Sequence, residues 1–175
     1  MIEKYRNFKE VYTPFWQLVN EEIEKADTLK IFYNNLSVNL EFKFLKSEVR
    51  KVLQDIYREI ANHFNLRPIP VYLSDKYKIK VLGRTFLRKK VFARIFRPQS
   101  IVIFYLMSSR YIDFNENLRE VLLVVQDADT IANTLIHESV HAFGIQGHGS
   151  DFYDYEEKIV KFLKSKNLYK YLFSS

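Results

Sequence analysis

The sequence predicts an α+β fold, with helix-forming and strand-forming stretches in separate parts of a 175-residue chain. Three observations carry this expectation. Val49, Val52, Leu53, Ile56, Ile60 and Phe64 recur at helical spacing, the mark of an amphipathic helix. Short apolar runs follow between residues 69 and 106, and the most apolar of them, SIVIFYL, suits a central strand. A second helical pattern, formed by Ile131, Leu135, Ile136, Val140 and Phe143, carries His137, Glu138 and His141 on its other side.

Composition supports a packed globule. Hydrophobic residues make up 47% of the chain, with 15 Phe and 12 Tyr, enough for one domain with a sizeable core. No apolar run reaches the length of about 18 residues needed to span a membrane, so no membrane partner is expected. The start, MIEKYRNFKE, lacks the apolar centre of a signal peptide, and an intracellular, cytoplasmic protein is the expectation. Absence of cysteine excludes disulfides and thiolate metal sites. The net charge of +6 is unevenly spread: Lys76 to Arg97 holds nine basic residues and no acid, whereas Asp113 to Glu157 holds ten acids against Arg119 alone. The basic block suits a polyanion, and the second segment would repel one.

Taken in order, residues 1–46 form an N-terminal extension of helix plus strand, packed on a core of residues 47–175. Its helix is expected from about Pro14 to Ala26, with Thr13 as N-cap, Pro14 at the first helical position and an apolar stripe of Phe15, Leu18, Val19, Ile23 and Ala26. Asn34 and Asn35 read as a turn. Val38, Leu40, Phe42 and Phe44 alternate with polar residues, which predicts a strand. Ser47 is the expected cap of the next helix, which Pro68 forbids from continuing. His63, near its end, reads as a histidine favourably placed at a helix C-terminus. Strands are expected over 69–73, 79–87 and 100–106. The intervening RKKVFARIFRP fits either a hairpin partner or a short amphipathic helix, and 115–126 a helical or irregular approach to the histidine helix. Ser150 or Asp151 caps a last helix with Phe152, Tyr155, Ile159, Phe162 and Leu163 on one face. Its acids come early and its lysines late, as the helix dipole prefers.

The stretch IANTLIHESVHAFGIQGHGSDF, residues 131–152, concentrates the chemistry. It contains three of the four histidines and three of the four glycines. Asp127 or Asp129 is a suitable N-cap for its helix. Residues four apart share a helix face, so His137 and His141 can both reach one metal ion at about 2.0–2.1 Å. Glu138 lies beside the first of them, where a carboxylate can hold a water. On an unbroken helix His148 would stand roughly 10 Å further along the axis, at about 1.5 Å per residue, beyond reach. Gly144 ends the helix as a left-handed cap, and Gly147 and Gly149 give the chain freedom to bring His148 back. Three histidines with a fourth position open is the layout of a catalytic zinc site.

The segment from about Ser47 to Lys164 resembles the SprT-like (Spartan-type) and related minimal zincin metallopeptidases. The matching stretches are YREIANHFNLRPIPVYLSD, VLGR with Gly83, TLIHESVHAFG and GHGSDF. The resemblance implies a zincin-like arrangement: a helix packed on a small, mostly antiparallel sheet, then an HExxH helix and a C-terminal helix. It also implies His137, His141 and His148 as Zn2+ ligands and Glu138 as general base, with His148, Gly149 and Phe152 matching the family's third-ligand pattern. Two features depart from the family. The connection from His141 to His148 is short compared with many members, and a chain without cysteine cannot hold the zinc ribbon that many carry.

Two functions follow. The first is a zinc-dependent metallopeptidase acting on protein or peptide substrates, with Tyr153 or Tyr155 as candidate oxyanion donors. The second is a nucleic-acid-binding or interaction protein with a structural or vestigial zinc site, whose candidate contacts are Arg84, Arg88, Lys89, Lys90 and Arg94 within segment 76–97. Both hold together in a peptidase recruited to protein on nucleic acid. Glu138 discriminates between them, because a purely structural site has no need of a carboxylate there.

Overall fold

A computed structural model of the chain describes residues 6–78, 83–90, 95–108, 118 and 123–173; of residues 78, 87–90 and 95–97 the backbone alone is described. Its helices are α1 (Phe8–Lys25), α2 (Leu29–Val38), α3 (Leu40–Phe64), α4 (Ala128–His141), α5 (Ser150–Ser165) and α6 (Tyr169–Phe173). Its strands are β1 (Val71–Lys78), β2 (Gly83–Lys90), β3 (Ile95–Ser108) and β4 (Leu123–Val125). The architecture is α+β, with helices packed against a small mixed sheet.

The first helix begins well before the Pro14 start expected from the sequence. Asn7 caps it by accepting a hydrogen bond from the Glu10 N–H at 3.2 Å. Phe8, Val11, Tyr12, Phe15, Leu18 and Val19 make one buried stripe, so burial of the aromatic residues upstream outweighs the N–H that Pro14 cannot donate. Pro14 itself lies on the exposed side.

The strand expected over residues 38–44 is absent, and so is the turn at Asn34 and Asn35. Leu29, Phe32 and Leu36 bury one face of α2, which carries both asparagines. Asn39 then ends α2 and caps α3, accepting from the Phe42 N–H at 3.0 Å. The alternation of Val38, Leu40, Phe42 and Phe44 is misleading because only Phe42 is buried; the other three are exposed. Ser47 is consequently an exposed residue inside α3 rather than its cap. The boundary drawn between residues 46 and 47 falls within the same helix, and α1 and α2 contribute to one core with the rest of the chain. At its other end α3 stops at Phe64, where Asn65 adopts the left-handed conformation at φ 54°.

In the sheet, β3 is central. It pairs in parallel with β1, from Val71 opposite Ile101 to Lys78 opposite Met107, and antiparallel with β2, from Gly83 opposite Ile103 to Lys90 opposite Ile95. The second pairing sets the two ends of RKKVFARIFRP, Arg88–Lys90 and Ile95–Pro98, side by side on antiparallel strands, as the hairpin alternative expects, while residues 91–94 between them lie outside the described residues. β4 adds antiparallel to the end of β3. Residues 79–82 of the expected second strand, Arg94 and most of the approach segment 115–126 lie outside the described residues. Val71, Leu73, Ile101, Ile103 and Tyr105 bury the helix-covered face of the sheet.

Trp16 donates to the Val125 carbonyl at 3.3 Å and the Tyr12 hydroxyl donates to the Gln126 carbonyl, so α1 grips the chain just before α4. The sequence reading did not anticipate α6, which packs on α1 and α4 with Leu172 buried. Among the described residues no helix is long and apolar enough to cross a membrane. Reassigning the α3 cap gives a direct test. Asn39→Ala should lower the unfolding free energy in urea by about 1 kcal/mol, whereas the exposed, mid-helix Ser47→Ala should change it by no more than about 0.5 kcal/mol.

Candidate metal centre

α4 starts where the sequence places it. Asp127 is its cap, accepting from the Thr130 N–H at 2.8 Å. The helix is buried on more than one side. Ile131, Leu135 and Val140 join the core, and Thr134 and Glu138 are also buried. α4 reaches β2 because Gly83 has no side chain: a Cβ there would lie 2.6 Å from Thr134 Cγ2 and 3.0 Å from Glu138 Cγ.

The break after His141 also follows the sequence. Gly144 takes φ 92°, the left-handed value that favours glycine, and its N–H donates to the His141 carbonyl at 2.9 Å. The chain then turns back, and Gly149, rather than Ser150 or Asp151, occupies the cap position of α5. His148 Nε2 thereby comes within 3.1 Å of His137 Nε2, and His141 Nε2 lies 3.3 Å from the same atom. One ligand atom from each of the three histidines falls within 4.8 Å of the others. Phe152, 2% exposed, packs against all three imidazoles with ring centroids 4.7, 5.2 and 5.0 Å from those of His137, His141 and His148.

This arrangement fits a metal ion. Two nitrogens at about 2.0–2.1 Å from a tetrahedral zinc stand about 3.3–3.4 Å apart, close to the spacings found. Each imidazole Nε2 offers one in-plane direction, as either an N–H or a lone pair. His137 Nε2 therefore cannot hydrogen-bond to both neighbours, and a cation among the three satisfies every lone pair. His141 Nδ1 lies 2.6 Å from the Ile145 carbonyl oxygen. A carbonyl only accepts, so Nδ1 carries the proton and Nε2 presents its lone pair, the usual way a histidine ligand is oriented. Burial, reinforced by the nearby His141 and His148, lowers the His137 pKa to about 4. The ring is therefore neutral near pH 7, the form that ligates metal.

Glu138 is 4% exposed. Its Oε2 lies 3.8 Å from His137 Nε2, while Oε1 is 2.9 Å from the Thr85 hydroxyl, which is also 3.0 Å from the Glu138 carbonyl oxygen. Burial pushes the carboxyl pKa up, and the Thr85 hydrogen bond and His141 oppose that rise. These groups border an open cleft of about 420 Å³, lined by Gly83–Phe86 of β2 on one side and Ile145, Gln146 and His148 on another.

Other residues singled out in the sequence lie elsewhere. Neither Tyr153 nor Tyr155 lines the cleft: Tyr153 is 60% exposed, and the Tyr155 ring packs on Phe143 at 4.5 Å. His63 stacks on Phe162 at 4.1 Å, away from the other histidines. Of the basic candidates, Arg84 borders the cleft, Arg88, Lys89 and Lys90 lie on β2, and Arg94 is outside the described residues. Thr85 is the site residue that sequence reading missed. Its only local signal is the alternation of β2, which puts Thr85 on the same face as Gly83.

No protein-family model, curated protein or solved structure matches the chain. The meaning of the site therefore rests on its geometry, in which the approach of α4 to β2 is the tightest element. Gly83→Ala should destabilise the protein by about 1–3 kcal/mol through overpacking. Gly147→Ala, whose Cβ would meet nothing within 4 Å, should be close to neutral. Urea unfolding of the two variants checks this.

Proposed function

We propose that the protein is a zinc-dependent metallopeptidase of the SprT-like, minimal zincin kind. One observation carries the reading: three histidine Nε2 atoms converge beside a buried carboxylate at the edge of an open cleft. A metal site serving structure alone needs neither the carboxylate nor the opening.

His137, His141 and His148 would hold the ion. Zinc bound there acts as a Lewis acid, polarising a carbonyl and making water easier to deprotonate. Glu138 supplies the base. Oε1 is occupied by the Thr85 hydroxyl, which leaves Oε2, on the His137 side, to take a proton from the attacking water. The same carboxyl then returns the proton to the leaving amine. Burial, which raises the pKa of this carboxyl, favours the proton-holding form between the two steps. Phe152 packs against all three imidazoles and so helps to hold their orientation.

β2 would position the substrate. Among the described residues β2 pairs with β3 alone, so an extended peptide can add to its other edge through main-chain hydrogen bonds. Such a peptide would run along Gly83–Phe86, the segment that borders the histidines.

The test is Glu138→Gln. Glutamine keeps the size of the side chain and its contact with Thr85 but accepts no proton near neutral pH. The variant should hold zinc like the parent, and hydrolysis of an unfolded protein substrate should fall by about 10²–10⁴-fold. Equal hydrolysis by both proteins at matched zinc content would rule out Glu138 as the base.

A further inference from the structure

Apart from the three histidines and Glu138, Arg84 is the one ionisable side chain that lines the cleft among the described residues. It is exposed, and its guanidinium carbon sits 4.7 Å from the centroid of the Phe86 ring. That stacking is its one side-chain interaction among the described residues. Glu138 is not its partner, being buried and bonded to Thr85.

Strand geometry places this cation relative to anything lying on β2. Side chains alternate between the two faces of a sheet, so Gly83 and Thr85 face α4 while Arg84 and Phe86 share the opposite face. An extended chain along the free edge alternates in the same way. One set of its side chains points towards the histidines, and the other meets Arg84 and Phe86. A guanidinium braced on an aromatic ring keeps its planar fork of donors available, and that fork matches the two oxygens of a carboxylate.

We propose that Arg84, braced on Phe86, is a carboxylate-recognising subsite, so that the preferred ligand is a peptide with a carboxylate beside the segment lying over the histidines. The ligand class rests on the peptidase reading. The carboxylate belongs to an acidic side chain or to a free C-terminus, and one experiment separates the two.

Zinc-loaded Glu138→Gln protein is titrated with fluorescent decapeptides of one neutral sequence, so that little ligand is consumed. Three are amidated and carry a central Glu, Gln or Lys pair; a fourth has the Gln pair and a free C-terminus. Either the Glu peptide or the free-carboxylate peptide should bind about tenfold more tightly than the amidated Gln peptide, and which one does so names the source. Adding Arg84→Gln should abolish the preference, and Arg84→Glu should shift it towards Lys. Lys43→Gln removes the same charge from α3, beside a different cleft, and should leave the preference intact. Melting temperature and zinc content, unchanged in the Arg84 variants, exclude a folding defect. Carboxylate peptides that bind no more tightly than the Gln peptide, or a preference that survives Arg84→Gln, would overturn the proposal. An Arg84-dependent preference in a protein whose parent hydrolyses no peptide sinks the peptidase reading alone. Hydrolysis by the parent with no regard to carboxylates sinks the subsite alone.

Discussion

The candidate site depends on how closely a helix can lie against the edge of a sheet. α4 settles on β2 at Gly83, where any side chain would run into Thr134 and Glu138. That approach brings the Thr85 hydroxyl to the Glu138 carboxylate. A carboxylate this buried is costly unless it is hydrogen-bonded, so the contact that packs the helix also makes its acid tolerable. The same contact puts the edge strand beside the histidines, joining a surface for an extended ligand to the groups that would act on it.

The remaining elements hold α4 in that position. α1 grips its approach through Tyr12 and Trp16, which bond to the backbone at Gln126 and Val125. Phe143, just past its C-terminus, is wedged between Phe64 of α3 and Tyr155 of α5. His63, the one histidine outside the cluster, stacks on Phe162 and ties α3 to α5. Phe64, Phe143, Tyr155 and Phe162 make these helix–helix contacts, where large rings fill volume with few rotatable bonds. The consequence for the site is that Phe152, buried on α5, is set against the rings of His137 and His141, while His148 lies in the exposed connection just before α5 and meets the same ring.

Much of the site was legible because its chemistry is local. The spacing of His137 and His141, the stop at Gly144 and the return of His148 lie within a dozen residues, and the structure brings the three rings together. Thr85 was not legible, because it meets Glu138 across 53 positions of sequence and an isolated threonine in a strand carries no mark of its partner. The fold was read unevenly for related reasons. The second half of α3 and all of α4 have unbroken helical periodicity and were found. The pattern of Val38 to Phe44 pointed to a strand because alternation was taken as a sign of burial, and three of its four apolar residues turned out to be exposed. Pro14 drew attention from the stripe of Phe8, Val11 and Tyr12 that continues upstream. The parallel pairing of β1 with β3 is set by packing between distant segments, and no local signal in either strand reports it.

The central claim is that His137, His141 and His148 make one zinc site with a position left open. X-ray absorption at the zinc edge, on protein loaded with one equivalent of zinc, tests it most directly when the parent is compared with His148→Ala. The account predicts imidazole-type scattering from three nitrogens at about 2.0–2.1 Å with one further light ligand, and loss of one imidazole in the variant. A parent that takes up no zinc, or a variant with the same three-imidazole spectrum, would contradict it.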